Sequence, residues 1–519
     1  VKREISSSCR VKAKSDIFAN DMLKQRIFIN TLVNSFGKTL SLILQLLIIT
    51  YLVKTIGKEA YGVVVLALAL VGNTNLMEAG FGLSVTKYVA EYRARDDRNA
   101  ILEIVNTNFI VSTVIALIFC VILLTINEFF LERLFTVPPS LLQPAKAMIR
   151  ILTLLSFVEF WSVGIIRILE GFQKYSVARI TEVFKWIVRF VLIIFAVENG
   201  YGLIGVGIAY FAAGVINLVI LYYFVFSRDA NLELNISRAN KKTFKQLFSF
   251  SIWIFLSKIF AFISYRIDIV VISIFLPIEN LTYYNIAFKI YETLRYGFAL
   301  LSSTLVPVTS EIAASLNKEK LCLLFKKASK YTVVLMFPVL TIFFVYADKV
   351  IHLWLGEGFS PSILLSQLFI VSLFFTALIA SGSEMMTGMN KLKELVKYNG
   401  VGSFLNLILS IILVQEVGVY GVVIGTVVGS LVISAGYLYQ MMQEFSISFV
   451  KYLRSIVLIP VVLTVVFGAV LAIINSIVVG FLTVVIYFSI IFFVLIEEED
   501  RAGILRLFKN QTRFGYFKS

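Results

Sequence analysis

Apolar stretches of spanning length recur along the whole of this 519-residue chain, and nothing else constrains its fold so strongly. Hydrocarbon about 30 Å thick is crossed by roughly 20 helical residues. Fourteen runs meet or approach that length, near 27–52, 63–86, 105–127, 148–170, 183–198, 202–226, 248–276, 283–307, 331–347, 362–386, 399–415, 419–440, 456–474 and 477–496. Hydrophobic residues make up 59% of the chain and charged residues 15%. Soluble domains carry about 45–50% and 25%, so a soluble enzyme, a disordered chain and a collagen-like fibre are excluded. The expected fold is an all-α integral membrane protein with about 14 transmembrane helices.

The loops orient the chain. With the N-terminus inside, the two tails and the even-numbered loops hold roughly seven times as many Lys and Arg as the odd-numbered loops. The positive-inside rule then puts both termini in the cytoplasm of a cytoplasmic-membrane protein. Much of the net charge of +15 is therefore an orientation signal, supplemented by contact with anionic inner-leaflet lipid, and no nucleic-acid partner is expected. The polar, basic segment 1–26 is read as a cytoplasmic tail without a cleavable signal. Segment 497–519 is read as a second cytoplasmic tail, solvated or lying on the surface. The outward loops are short; the longest, 128–147 and 348–361, hold a few acids and two interface anchors, His352 and Trp354. Three cysteines and one histidine support neither a disulfide framework nor a metal site.

Two stretches match at a nearly fixed offset. Gly171-Phe172-Gln173-Lys174 aligns with Gly388-Met389-Asn390-Lys391, and Gly202-x-x-Gly205-x-x-x-Ala209 aligns with Gly418-x-x-Gly421-x-x-x-Gly425. The offset spans six runs and preserves orientation, which describes parallel repeats related by an axis along the membrane normal. Two six-helix lobes are expected, at 27–226 and 248–440, joined by a basic cytoplasmic linker at 227–247 and followed by two C-terminal helices within 456–496. A cleft between such lobes is a usual place for a transported substrate.

Polar residues inside the runs point to that cleft. Asn30, Asn34, Lys38, Ser41 and Gln45 share one face of the first helix at about 100° per residue. Lys38 falls near mid-membrane, where a charge costs roughly 3 kcal/mol on insertion scales. The eighth run repeats the pattern with Asn285, Lys289, Glu292, Tyr296 and Ser303, with Arg295 at the edge of that face. Glu292 and Arg295, three apart, are placed to pair. The seventh run carries Lys258, Arg266 and Asp268. The cations singled out within runs are Lys38, Arg150, Arg167, Arg189, Lys258, Arg266, Lys289 and Arg295; the acids are Glu78, Glu159, Asp268 and Glu292. Arg150 and Arg167 lie near run ends and are read as snorkelling anchors. The excess of positive charge favours an anionic cargo such as a phosphate or diphosphate. Lys38, Lys258, Arg266, Lys289 and Arg295 are the expected substrate contacts. Glu78, Asp268 and Glu292 are candidates for ion coupling or charge pairing. Asn30, Asn34, Ser41, Gln45 and Asn285 are expected to line the cavity.

Specific residues then carry a family resemblance. Ile56-Gly57-Lys58-Glu59-Ala60-Tyr61-Gly62, followed by Gly80-Phe81-Gly82-Leu83, resembles the start of Wzx-type lipid-linked oligosaccharide flippases of the multidrug/oligosaccharidyl-lipid/polysaccharide exporter superfamily. Arg266-Ile267-Asp268 with Tyr283-Tyr284-Asn285-Ile286-Ala287 looks like that family's junction of the seventh and eighth helices. Leu353-Trp354-Leu355-Gly356-Glu357-Gly358-Phe359 is similar to its loop after the ninth helix. The likeness extends over essentially the whole chain. It implies a flippase, not an enzyme, that carries an anionic oligosaccharide on a polyprenyl (di)phosphate from the inner to the outer leaflet by alternating access.

That function is the leading expectation. No cofactor is expected beyond coupling to H⁺ or Na⁺, and the fold could act as a monomer among membrane lipids. A flippase for a peptidoglycan precursor belongs to the same class. An ion-coupled multidrug exporter of the same superfamily is the first alternative, disfavoured by the buried cations. A membrane glycosyltransferase or polymerase is the second; the short outer loops offer it no sizeable acidic or metal-bearing surface.

Overall fold

A computed structural model describes residues 36–72, 74–229, 232–249 and 266–474, with isolated positions at 486, 487, 489 and 501. The described residues are overwhelmingly helical, as long uninterrupted apolar segments must be where hydrocarbon offers the backbone no hydrogen-bond partners. In chain order the helices are α1 (Phe36–Ile56), α2 (Lys58–Val71), α3 (Thr74–Ala94), α4 (Arg98–Leu134), α5 (Pro139–Gly171), α6 (Tyr175–Glu198) and α7 (Gly202–Phe226). They continue with α8 (Ile267–Phe275), α9 (Glu279–Ser303), α10 (Leu305–Ala314), α11 (Lys318–Val345) and α12 (Ala347–Leu355). The last are α13 (Ser360–Gly388), α14 (Leu392–Val417), α15 (Val419–Phe445) and α16 (Phe449–Ile473).

Nine helices among the described residues are long and apolar enough to cross a membrane: α1, α4, α5, α7, α11, α13, α14, α15 and α16. Each falls on an expected run. The other five runs differ for identifiable reasons. The run at 63–86 falls on two described helices: α2 ends at Val71 with Gly72 as its C-cap, and α3 begins at Thr74. The run at 183–198 lies within α6, which has 24 residues but carries Arg179, Glu182, Lys185 and Arg189. The run at 283–307 stops at Ser303 and restarts as α10. Pro307 has no N–H for the Ser303 carbonyl and its ring crowds that group, which favours the break found there. The run at 248–276 is described only at 248–249 and from 266, and the run at 477–496 lies largely outside the described residues.

The chain divides into two compact units. Unit 1 comprises Val1–Phe262 and Ile272–Thr282; unit 2 comprises Ile263–Val271 and Tyr283–Ser519. Within unit 1, α5 packs against α2, α3, α4 and α7. Val85, Val89, Ile104, Val105, Ile165, Ile168 and Leu221 form much of its core. The outer face of α4 is apolar and exposed, with Leu117, Ile118 and Val121 at 53%, 55% and 64%. That composition is unfavourable in water and natural against lipid. Segment 272–282 joins unit 1 by specific contacts: the Thr136 N–H donates to the Ser273 carbonyl at 2.9 Å, and Thr282 Oγ1 donates to the Lys58 carbonyl at 2.7 Å. Asn106 fastens the segment after α7, donating to the Glu233 carbonyl and accepting from the Asn235 N–H at 2.7 Å.

Within unit 2, α13 packs against α10, α11 and α15, and the closest pairing is α14 with α15. Small residues permit it. A Cβ built at Gly429 would meet the Gly402 carbonyl oxygen at 2.8 Å, and one at Gly425 would meet Ser410 Oγ at 2.7 Å. Segment 348–361, expected as a loop with anchors, instead holds α12. Leu353 is 90% exposed there, and Ile351 and Leu355 are buried.

The two aligned stretches have matching geometry. Gln173 and Asn390 both take φ 59°. Gln173 N–H donates to Glu170 and Lys174 N–H to Leu169; Asn390 N–H donates to Thr387 and Lys391 N–H to Met386, all at 2.8–2.9 Å. Gly202 and Gly418 both have positive φ, 51° and 66°, at the starts of α7 and α15, a conformation that favours glycine. A further pair appears that the alignment did not contain. Asp96 (φ 56°) precedes Asp97, which caps α4, and Leu316 (φ 55°) precedes Asn317, which caps α11.

Candidate functional site

The richest set of expected site residues lies in unit 2, where α8 and α9 meet. Lys289 is nearly buried and donates from Nζ to Glu292 Oε2 at 2.6 Å. The Arg266 guanidinium reaches the other carboxylate oxygen at 3.6 Å and lies 5.4 Å over the Phe288 ring. Arg295 sits 5.9 Å over the Tyr291 ring. Glu292, expected to pair with Arg295, forms ion pairs with Lys289, one helical turn earlier, and with Arg266 on another element. Lys289 and Arg266 share the one carboxylate of Glu292, and Arg295 lies three residues further along α9. Asn285 is half-buried, one turn before Lys289 on α9.

Asp268 follows a different course. It is fully buried, and its Oδ2 accepts from Tyr284 Oη at 3.0 Å and from Thr426 Oγ1 at 2.9 Å. Its Oδ1 is buried without a hydrogen-bond partner among the described residues. Behind Thr426, Ser410 Oγ lies 3.0 Å from Asn406 Oδ1 and 3.2 Å from the Val422 carbonyl. Tyr284 is held by its ring, stacked on Phe288 and edge-on to Phe369, with centroids 5.8 and 5.4 Å apart. The site around Asp268 therefore offers oxygen atoms and hydroxyl groups, with one carboxylate oxygen unsatisfied.

On α1, Lys38 and Gln45 are half-buried and Ser41 is buried, its hydroxyl without a hydrogen-bond partner among the described residues. Asn30, Asn34 and Lys258 lie outside the described residues, and Glu78 is placed on α3 with nothing described of its side chain.

Unit 1 contains a charged cluster that the sequence reading did not assemble. Lys185 Nζ donates to both Glu159 oxygens at 3.1 Å, and Arg189 reaches Glu159 at 3.7 Å. The Arg189 guanidinium is sandwiched between Trp186 and Tyr210, 4.5 and 4.1 Å from their centroids. Lys185 lies inside the run at 183–198, one turn before Arg189, and is a further membrane cation beyond those singled out. A one-turn check from Arg189 back to Lys185 would have found it. Arg167, near the end of α5, pairs with Glu170 at 2.8 Å, whereas Arg150, expected near an end, lies three turns inside α5 and pairs with Glu128 at 2.7 Å.

Helices of this length, apolar lipid faces and charged clusters held inside each unit define a multi-pass membrane protein with a transporter fold. The chain belongs to the polysaccharide biosynthesis protein family, whose pattern it matches over residues 27–313, more than half its length. A Shigella flexneri protein named as a candidate O-antigen transporter is 24% identical over 388 residues, covering 71% of this chain and 88% of its own. Among solved structures, lipid II flippase MurJ in an inward closed conformation matches with a TM-score of 0.70 at 17% identity, over 91% of this chain and 100% of that one. An inward-facing multidrug resistance MATE family transporter of the MOP superfamily matches with a TM-score of 0.67 at 18% identity, over 78% and 95%. The structural matches define the fold alone.

Proposed function

We propose that this chain is a flippase that moves a polyprenyl-(di)phosphate-linked oligosaccharide from the inner to the outer leaflet by alternating access. The observation that carries the reading is the grouping of three basic side chains with one acid: Lys289 and Arg266 on the Glu292 carboxylate and Arg295 over the nearby Tyr291 ring. Intramembrane charge is costly and is kept where it meets a partner or lines a pathway. A net-positive cluster suits a phosphate or diphosphate, with Arg266 and Arg295 able to present planar donor pairs. The Shigella relative's name and the lipid II flippase fold support the same cargo class. A sugar headgroup cannot cross hydrocarbon alone, since each unsatisfied polar group costs several kcal/mol there. A hydrated, electropositive route removes most of that cost while the lipid tail stays in the bilayer.

In this reading the chain performs no bond chemistry. It sits in the cytoplasmic membrane with both termini inside, as the loop charges suggest. The repeated turns at Gln173 and Asn390 support lobes at 27–226 and 248–440. Asp268 is the favoured coupling carboxylate, because neutral hydroxyl groups surround it and one of its oxygens is unused. Lys38 and Lys258 are assigned to the cargo route on their sequence positions. The multidrug exporter reading has the MATE fold in its favour, but a cluster of three cations would repel the cationic compounds such a protein would export.

Reconstitution tests the proposal. Proteoliposomes carrying a fluorescent polyprenyl-diphosphate oligosaccharide should show protein-dependent movement between leaflets, read by quencher accessibility. Movement indistinguishable from protein-free vesicles, together with export of cationic dyes, would replace this reading with the alternative.

A further inference from the structure

Unit 2 holds a half-open cavity of about 320 Å³ lined by α9, α13, α14 and α15, which adjoins the Asp268 group and extends beyond the clusters above. Its walls are rich in oxygen atoms: Ser383 and Glu384 from α13, Asn399 and Asn406 from α14, Thr426 and Ser430 from α15. Leu395 and Asn406 both line it, eleven residues apart on one helix, so the cavity extends about 16 Å along α14 at 1.5 Å per residue. One end lies near the α13–α14 turn, which carries Lys391, paired with Glu444 at 2.5 Å. At the other end Asn406 and Thr426 form the wall, and Thr426 is the residue that donates to Asp268.

Glu384 is the only acid on the cavity wall, and it makes no ion pair or hydrogen bond with any described residue. An unpartnered carboxylate within a transmembrane helix calls for a counter-charge. The volume accommodates on the order of ten waters at about 30 Å³ each, too little for a lipid-linked oligosaccharide and ample for a hydrated ion. Hydroxyl, amide and carboxylate oxygens are hard ligands, and one carboxylate balances one positive charge. Tyr291 and Tyr437 also line the cavity; Tyr437 Oη accepts from Asn399 at 2.7 Å, and Arg295 stacks on Tyr291.

We propose that this cavity is a binding site for a hydrated monovalent cation, with Glu384 as its charged ligand, leading toward Asp268. The proposal rests on the coupling half of the function above and supplies it with an access route. The test uses accessibility chemistry, so it reads the cavity whether or not the protein flips lipids.

Full-length protein in lipid vesicles, with Cys9, Cys120 and Cys322 replaced by serine, would carry Ser430→Cys and be labelled with cationic or anionic methanethiosulfonate reagents. Rates are expressed relative to each reagent's rate on a free thiol. The expected result is a preference of about tenfold or more for the cationic reagent, because a lone carboxylate in a low-dielectric cavity concentrates cations. Glu384→Gln should reduce the preference to within about threefold, and Glu384→Asp should retain it. Sodium or potassium chloride, against choline chloride at fixed pH, should slow labelling. Slowing by acid alone would reassign the site to protons and overturn the metal-cation proposal. It is also overturned by equal rates for the two reagents, by a preference that survives Glu384→Gln, or by no labelling at either Ser430→Cys or Ser383→Cys. The second cysteine position covers the case in which the first variant fails to fold.

Discussion

Arg266 and Asp268 stand two residues apart and answer to different partners: Arg266 reaches Glu292 at 3.6 Å, and Asp268 accepts from Tyr284 and Thr426 at 3.0 and 2.9 Å. Although close in sequence and opposite in charge, neither neutralises the other. Arg266 joins a cluster that keeps positive charge, and Asp268 sits among neutral donors with one oxygen unused. A short segment thereby contributes to two electrostatic environments, one suited to an anion and one to a cation.

Asp268→Asn preserves the shape of the side chain and removes its charge. Tyr284 and Thr426 can still bond to the remaining amide oxygen. Membrane abundance should stay near wild type, while the dependence of transport on an imposed Na⁺ or H⁺ gradient disappears, a loss of about tenfold or more at full gradient. The check is flipping in vesicles with and without the gradient; a variant that still responds fully removes Asp268 from coupling.

Glu159→Gln should act on stability instead. It strands Lys185 and Arg189 inside unit 1, and breaking a buried pair by removing one partner typically costs about 3–5 kcal/mol. Thermal unfolding in detergent should shift downward and membrane abundance fall. The double variant Glu159→Gln/Lys185→Met should recover part of the loss. An unchanged melting profile for the single variant would show that the cluster is not energetically closed as its distances imply.

Gly429→Leu tests the α14–α15 contact. The new side chain would start against the Gly402 carbonyl, 2.8 Å from its Cβ. Overpacking of this kind costs about 1–3 kcal/mol or more, and Gly429→Ala should cost less than Gly429→Leu. Equal melting temperatures for wild type and both variants would contradict the close packing.

Removing Glu292 should strengthen the positive cluster, because Lys289 and Arg266 both lose their acid. Glu292→Gln is expected to bind the anionic cargo about three- to tenfold more tightly and to turn over more slowly, as release becomes limiting. Binding and flipping measured on the same preparation separate those effects; weaker binding would place Glu292 in direct contact with cargo.

The helices were legible because apolar runs of spanning length leave few alternatives. Their interruptions were less so. Gly72 and Pro307 are visible in the sequence, yet mean hydropathy over a window smooths across both. The face carrying Lys289, Glu292 and Arg295 was legible from helical spacing, but the reach of Arg266 from a separate element was not. Lys185 was legible too, since it lies within the run at 183–198 one turn before Arg189, but its partner Glu159 on another helix was not. The Glu384 cavity was invisible for a different reason: its serines, threonines and asparagines are scattered singly over three helices, and only packing collects them. The repeat was recognised from glycines, and the shared φ of 59° at Gln173 and Asn390 gives that match a conformational basis.

The most direct measurement is competitive binding of two lipids that share a sugar and a polyprenyl tail, one joined by diphosphate and one by an uncharged ether. The wild-type protein should prefer the diphosphate lipid by about a hundredfold. Arg266→Ala/Lys289→Ala/Arg295→Ala should bring the two affinities within about threefold while the protein remains folded in the membrane. Equal affinity of the wild-type protein for both lipids, or an unchanged preference in the triple variant, would contradict the account.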